Sequence, residues 1–309
     1  MSHADTQTTP DTGLDVPSVE PSWLKYLSKC IKDDEEQGED TTHFQIVRDL
    51  LLAPDDDDSA VSKAVDRFRD DYVAGFAEED FGGRMAPEYD AGLVLNSLAV
   101  TVFEVVNFVS FTDIKHDKLA NLLIGIKATA AKDFSTDDPQ FVYYAWGFEA
   151  AADDSWKHNH ANGWLQDINP RTAKQASDGW LSRSALIAKL FKGGLLDSDG
   201  PPWIWHDFKT AFEAETHGEV ATNVGRQAQV LAPANCILIA GDAVAKEAKS
   251  PSRKWQTEVT PAKWKLWASK LEEVANAVGE DATWGLKAKA QEAHDKMVKL
   301  YPEAFEEGV

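Results

Sequence analysis

The densest group of side chains that could bind a metal lies between Asp153 and His160, where the chain reads DDSWKHNH. If this segment is helical, Asp154 and His158 share one face, with His160 close by. A carboxylate combined with imidazole nitrogens suits zinc or iron. The alternative is a solvated helix end, because the segment supplies no third and fourth ligand at a suitable spacing. Asp154, His158 and His160 are therefore candidate metal ligands.

A second group sets aromatic side chains beside a histidine and an aspartate, in the run Trp203-Ile204-Trp205-His206-Asp207. Neighbours on a helix point in different directions, so His206 and Asp207 should not face each other. The sequence holds no GxSxG, P-loop or GxGxxG motif that would supply a catalytic or cofactor context, and we predict no cofactor. His206 is a candidate catalytic residue, and Trp203, Trp205 and Trp146 are candidates for an apolar pocket, although tryptophans in a helical protein usually belong to the core.

The apolar run from Leu93 to Phe111 contains one acid, Glu104. The run has the length of a membrane span, but an acid at the centre of a bilayer is costly, so we predict a buried helix in a large helical core. A buried acid needs a partner or a raised pKa. Arg226, at the start of another apolar helix, is the candidate partner and is also a candidate pocket residue with the three tryptophans. An isolated Glu104 would be a candidate general acid.

The elements that must position these residues are predicted to be helices. Val61, Val65 and Phe68 recur at intervals of three and four, as Trp264 and Trp267 do with the apolar residues after them. This spacing is typical of helices with one buried face. Since no strand-like alternation of useful length occurs, we predict an all-α fold of about ten helices in one compact domain.

Capping and proline signals predict where several helices begin and bend. Asp117 should open one helix and Asp281 the last one. Asp138-Pro139 places a capping residue before a proline in the first turn. Pro233 interrupts the helix expected over Val224–Lys249 and should bend it, because proline removes one hydrogen bond of the ladder.

The net charge of −21, from 52 acids and 31 bases, is concentrated at the front of the chain. Residues 1–90 hold 23 acids and 8 bases. We predict a disordered acidic tail over residues 1–21 and a single helical domain over 22–309 with an acidic front at 22–90. The balance argues against binding to nucleic acid or to an anionic membrane.

Two compact acidic runs, Asp33–Glu36 and Asp55–Asp58, stand out in that front. They serve either solubility or docking to a partner protein with a basic surface. Cys30 and Cys236 do not make a disulfide framework, and the N-terminus resembles neither a secretory signal nor a mitochondrial transit peptide. We expect a cytoplasmic protein, with the nucleus as the alternative, and not a secreted one.

Four features of the body form a pattern. They are Asp117-Lys118-Leu119 before a leucine-rich helix, an aromatic loop with Trp146, Trp156 and Trp164, the helix Ala232–Lys249 with Ala240-Gly241 and an acid, and Trp264-Lys265-Leu266-Trp267 after Thr260-Pro261. On these features, residues 105–292 resemble a fungal family catalogued as a domain of unknown function, number three-six-three-two. The resemblance implies a helical fold and a fungal source, and it assigns no activity and no site residues.

Two classes of function follow. We favour a non-catalytic interaction or regulatory protein, since no catalytic motif occurs and the aromatic residues are distributed as a core. The alternative is an enzyme or small-molecule-binding protein whose tryptophan-lined pocket takes a small apolar ligand, with secondary metabolism as one setting for it.

Overall fold

The computed structural model describes residues 20–77, 87–130, 148–161, 170–196, 200–214, 218–250 and 259–306. These residues form eleven α-helices and three short 3₁₀ turns, with no strand among them. The predicted all-α fold is confirmed, with eleven helices where about ten were expected. The tail predicted over residues 1–21 lies outside the described residues except for its last two.

The helices bury the apolar stripes that their spacing predicts. In α1, for example, Trp23, Leu27 and Ile31 recur every four residues and are all buried. In chain order the helices are α1 (Ser22–Gln37), α2 (Thr42–Leu52), α3 (Ala60–Ala77), α4 (Pro87–Val105), α5 (Ile114–Ala130), α6 (Phe148–Ala161), α7 (Pro170–Lys192), α8 (Gly200–Phe212), α9 (Val224–Lys249), α10 (Pro261–Ala277) and α11 (Leu286–Leu300). A 3₁₀ turn over Val106–Phe108 follows α4 directly.

Helix α5 begins earlier than the sequence predicts. It starts at Ile114 rather than at Asp117. Asp113 supplies the reason, because its carboxylate accepts a hydrogen bond from the backbone N–H of Lys115 at 2.9 Å. An aspartate in this position satisfies a donor of the first helical turn, so the capping residue is Asp113.

Helix α11 begins later than predicted, at Leu286 rather than at Asp281. A 3₁₀ turn precedes it, and within that turn Trp284 adopts the left-handed conformation with φ of 59°. A bulky residue rarely takes this conformation. The local signal for the break is the next residue, Gly285, which is also left-handed with φ of 67°. The helix predicted to start at Asp138-Pro139 lies outside the described residues.

Helices α1 to α6 pack around a first hydrophobic core. The largest fully buried side chains of this core include Leu27, Ile46, Phe103 and Phe148. A second core is built from α8 to α11 around Trp264 and Trp267. Burial of these aromatic rings supplies much of the hydrophobic driving force of that half.

Helix α7 contributes to both cores. Leu186, Ile187 and Leu190 pack into the first core, whereas Trp180 and Leu181 pack into the second. Because one helix is shared, neither core can form its complete packing without it. The single domain over 22–309 remains a prediction, and the shared helix supports it.

Helix α9 is a long, largely buried helix of the second core. Among the described residues it is the one helix long and apolar enough to cross a membrane, but 72% of its apolar window is buried inside the protein. It packs mainly against α7 and α11. The run Leu93–Phe111 falls on α4 and the 3₁₀ turn after it.

The bend in α9 does not lie at Pro233. Pro233 stands in continuous helix, and the backbone departs from helical angles at Ala240, with φ of −120° and ψ of 17°. Just before that point, Nζ of Lys296 on α11 donates to the carbonyl oxygen of Leu238 at 2.9 Å. A side chain that takes a carbonyl from the helical ladder is a recognised cause of a kink. The prediction of a bend at the proline is therefore wrong.

A buried histidine ties α5 to α7. Nε2 of His116 donates to the carbonyl oxygen of Ser182 at 2.8 Å, and Nδ1 accepts from Nζ of Lys189 at 2.9 Å. Lys189 also forms an ion pair with Asp117 at 2.7 Å. Burial, and then the charge of Lys189, lower the pKa of His116 from 6.5 to about 4. The imidazole is therefore neutral at physiological pH.

We expect the free energy of unfolding to fall as the pH drops from 6.5 to about 4. In that window the unfolded chain binds a proton at His116 and the folded chain does not, so the loss reaches roughly 3 kcal/mol at most. The His116→Asn variant should lack this section of the profile, measured by urea unfolding at several pH values. The His206→Asn variant, at an exposed histidine, should keep it. An identical profile for His116→Asn and the wild type would contradict the assignment.

Candidate functional site

Of the three candidate metal ligands, the structure describes the side chain of Asp154. Asp154 is exposed on α6, and Asp153 beside it forms an ion pair with Lys157. The side chains of His158 and His160 lie outside the described residues. In the part of the chain that the structure describes, no group of three or more His, Cys, Asp or Glu side chains could hold a metal ion. The described residues therefore add no further ligand to the predicted metal site.

The tryptophans predicted to line a pocket face different parts of the protein. Trp203 packs into the first core, and its ring stacks on that of Trp156 with centroids 6.0 Å apart. Trp205 packs into the second core against Trp267, also at 6.0 Å. Trp146 lies outside the described residues. These positions therefore do not form one shared pocket in the described part of the chain.

A small cavity lies where α6, α7, α8 and α9 meet. It has room for about one water molecule. Its polar lining comes from Ser184 and Asp207, whose side chains lie 3.4 Å apart, and from the thiol of Cys236. Burial raises the pKa of Cys236, and the carboxylate of Asp207 raises it further. The remaining lining residues are Trp156, Ile187, Trp203, Ile204 and Pro233.

His206 and Asp207 diverge, as helix geometry predicts. Asp207 lines the cavity, whereas His206 is exposed and meets Trp156 edge-on, with ring centroids 5.2 Å apart and an interplanar angle of 82°. Trp156, which the sequence pattern placed in a loop, lies in α6 and packs against both hydrophobic cores. The signal that could have revealed it is its position within the helical segment before Asn162-Gly163.

Glu104 is exposed, contrary to the expectation that it is buried in a helical core. Phe103 and Val105 on either side of it are buried, so α4 turns this one residue outward. Its carboxylate accepts a hydrogen bond from the hydroxyl of Tyr26 on α1. Burial first, and then this hydrogen bond, raise the pKa of Tyr26 well above its usual range. The condition for a buried general acid is not met.

Arg226 is not the partner of Glu104. It donates to the carbonyl oxygen of Ala211 at 2.6 Å and to the side chain of Gln229, within the second half of the protein. The predicted Glu104–Arg226 contact is therefore wrong. Burial lowers the pKa of Arg226, which is consistent with its structural role beside α8.

The arginine that interacts electrostatically with Glu104 is Arg183 of α7. Its guanidinium donates to Oδ1 of Asn107 at 2.7 Å and to the carbonyl oxygen of Ser155 at 3.1 Å. Burial lowers the pKa of Arg183 to about 10, and the charge of Glu104 opposes that change. Sequence reasoning missed this residue, although an arginine among the apolar residues of α7 is a signal that a buried partner exists.

Four carboxylates lie near one another and near the side chains of Tyr26, Cys30, His43 and Phe108. They are Asp33 and Asp34 of α1, Asp40 after it, and Glu104 of α4. We call these eight residues the acidic face. Burial raises the pKa of the Cys30 thiol, and the charges of Glu104, Asp34 and Asp33 raise it further. Burial lowers the pKa of His43, while Asp40, Asp34 and Glu104 act in the opposite direction. Asp34 and Glu104 act on both groups, so Cys30 and His43 lie near the same two carboxylates.

Two carboxylates of the largely exposed run Asp55–Asp58 form contacts within the protein. Asp55 forms an ion pair with Lys115 at 2.7 Å. Asp57 accepts from both the backbone N–H and the hydroxyl of Ser59, at 2.9 Å and 2.5 Å, just before α3. These contacts lower the pKa of both carboxyls, Asp55 chiefly through Lys115 and Asp57 chiefly through Ser59. The run therefore positions the start of α3 and the loop before it.

Comparison with known proteins gives one family. The sequence model of a family described as protein of unknown function (DUF3632) matches residues 100–271, which is more than half of the chain. No curated protein and no solved structure matches the chain. The match includes the small cavity, Glu104, Phe108 and Arg183, and it begins after α1, α2 and α3.

The enclosure of the small cavity predicts unequal reactivity of the two thiols. Cys30 is half-buried and Cys236 is buried, and only the thiolate attacks a disulfide reagent. We expect Ellman's reagent to modify one thiol per native chain and both thiols after unfolding. The fast reaction should disappear in Cys30→Ser and persist in Cys236→Ser. Equal rates for both thiols in the native protein would contradict the closed cavity.

Proposed function

We propose that this chain, which belongs to the DUF3632 family of proteins of unknown function, is a non-catalytic interaction protein that binds a basic segment of a partner protein through its first helix. The family match carries no activity that could be transferred. The proposal therefore rests on the charges and contacts of this chain. It places the protein in the cytoplasm or nucleus, where its two free cysteines are compatible with a reducing environment.

The observation that carries the proposal is the acidic run at the end of α1. Asp33, Glu35 and Glu36 are exposed and Asp34 is half-buried, and the last turn of the helix holds no basic residue. The C-terminus of a helix carries partial negative charge, so acids there are unfavourable for folding. A basic partner would offset this unfavourable interaction. The end of α1 is therefore suited to bind positively charged side chains.

The run at Asp55–Asp58 provides the contrast. Two of its carboxylates stabilise the protein internally, through Lys115 and Ser59. On α1, Glu36 of the acidic run forms an ion pair with Lys32, and the two side chains are 66% and 74% exposed. Ion pairs this exposed contribute little to stability and exchange readily for a partner's cation. Docking therefore belongs to α1 rather than to the second acidic run.

The overall charge favours the same kind of partner. Residues 20–77 contain 15 acids and 7 bases. A surface of one sign steers oppositely charged partners toward it and accelerates association, with a strong dependence on salt. A lysine- and arginine-rich protein segment is the partner that this field selects.

We expect the variant Asp33→Asn/Asp34→Asn/Glu35→Gln/Glu36→Gln to bind a fluorescent Arg/Lys-rich peptide roughly tenfold more weakly in low salt, by anisotropy. The same variant should melt about 2 °C higher, because the unfavourable charges at the helix end are removed. The charge-matched control Asp56→Asn/Asp58→Asn/Glu272→Gln/Glu292→Gln should bind like the wild type. An equal loss in the control, or no binding by the wild type, would contradict docking at α1.

The second candidate is a small-molecule-binding protein or enzyme, as the stacked rings of Trp156 and Trp203 beside Ser184 and Asp207 favour. Mixed apolar and polar linings are typical of ligand sites. The cavity holds about one water molecule, so a ligand would have to open it by moving α6 or α8. The non-catalytic proposal is favoured because it requires no such movement.

A thermal-shift screen against small apolar metabolites and metal ions separates the two candidates. Any ligand that binds the folded state raises the melting temperature, by an amount equivalent to about 2.7 kcal/mol at one hundred times its dissociation constant. Under the proposed function we expect no shift. A shift that disappears in Cys236→Leu, in which the larger side chain fills the cavity, would instead establish the second candidate. Circular dichroism should first show that this variant is folded.

A further inference from the structure

We infer that Tyr26, Glu104 and Phe108 form the anchor for one arginine side chain of the basic segment. This inference rests on the proposed function and names its recognition centre. The three residues come from α1, from α4 and from the 3₁₀ turn after α4. They lie at one end of the acidic face, whose other end is the run Asp33-Asp34 on α1.

The aromatic part of the anchor is a stacked pair that remains open to solvent. The rings of Tyr26 and Phe108 have centroids 5.3 Å apart and an interplanar angle of 29°. Phe108 is nevertheless 43% exposed, one of few large apolar side chains so exposed among the described residues. The stack fixes the orientation of the Phe108 ring, so a planar group can pack on it without first ordering the side chain.

The charged part of the anchor is the carboxylate of Glu104. One of its oxygens accepts from the hydroxyl of Tyr26, which holds the carboxylate beside the aromatic pair. A carboxylate accepts several hydrogen bonds, so acceptor capacity remains for a ligand. The anchor therefore combines an oriented negative charge with an adjacent aromatic surface.

Arginine matches this combination better than lysine. Its guanidinium is planar, stacks on aromatic rings, and donates in a fixed fork to a carboxylate. It is also less strongly hydrated than an ammonium group, so it loses less on contact with Phe108. A lysine could reach Glu104 but would gain little from the stacked rings.

The groups around the anchor leave the face negative. Asp33, Asp34 and Asp40 surround Cys30 and His43, as described above. Arg183 is close enough to Glu104 for their charges to interact, but its two terminal nitrogens donate to Ser155 and Asn107. Lys25 and Lys29 on α1 are exposed near Tyr26, and the acids at the end of the helix outnumber them. A basic segment that extends from the anchor along α1 reaches those acids.

The test compares two fluorescent Gly/Ser-rich peptides that differ only in carrying arginine or lysine at the same positions. We expect the full-length protein to bind the arginine peptide several-fold more tightly in low salt. Phe108→Ala and Glu104→Gln should each weaken the arginine peptide at least fivefold, and Tyr26→Phe should weaken it less because the ring stays in place. The matched controls are Leu266→Ala, at an apolar residue that is 41% exposed on α10, and Glu272→Gln. Both should bind like the wild type.

The outcomes separate the anchor from the proposed function. Normal binding by Phe108→Ala and Glu104→Gln, with the neutralised α1 variant still impaired, would overturn the anchor and leave docking at α1 standing. Equal affinity for the two peptides would overturn the assignment to arginine. If neither peptide binds the wild-type protein, the proposed function fails together with the anchor. Unchanged melting temperatures of the variants would show that lost binding does not reflect lost folding.

Discussion

Helix α7 must be covered on every side, and the rest of the fold follows from that requirement. From Gly179 to Phe191, all residues except two are buried. Such a helix cannot lie at the surface of a domain, because it would expose apolar area worth about 25 cal/mol per Å² on whichever side was left open. The first core covers one side of α7, and the second core covers the other.

The two residues of this stretch that are only half-buried, Arg183 and Lys189, show what such a central position costs. A cation inside a protein requires acceptors to replace its water. Arg183 finds them in Asn107 and the Ser155 carbonyl, and Lys189 finds them in His116 and Asp117. These contacts connect α7 to the 3₁₀ turn after α4, to α5 and to α6, so the cations that complicate burial also fix the register of the surrounding elements. The interior is thereby filled, which leaves the outer face of the front helices as the place where charge can accumulate at little cost to packing.

The sequence predicts what depends on local periodicity and capping. The stripes of α3 and α10, the Thr260-Pro261 start and the span Val224–Lys249 depend on residues close together in sequence, so they are readable in one segment. The hydrogen bond of Lys296 beside the kink at Ala240 joins residues far apart in the chain, and so does the hydrogen bond between Tyr26 and Glu104, so neither is readable in one segment. Arg183 was missed and Arg226 wrongly paired with Glu104 for the same reason, since which helices become neighbours is decided by the packing of α7.

The proposed anchor combines residues from inside and outside the region that matches the family. Glu104 and Phe108 belong to the matched residues 100–271, whereas Tyr26 and the acids of α1 lie before them. The hydroxyl that orients Glu104 and the ring that supports Phe108 are both supplied by α1. The matched region alone would therefore present a mobile glutamate and a loosely held phenylalanine, and the ordering cost of both would fall on the binding step. Packing α1 against α4 moves that ordering cost into folding. The proposed anchor is therefore completed by α1, and the matched region contains it only in part.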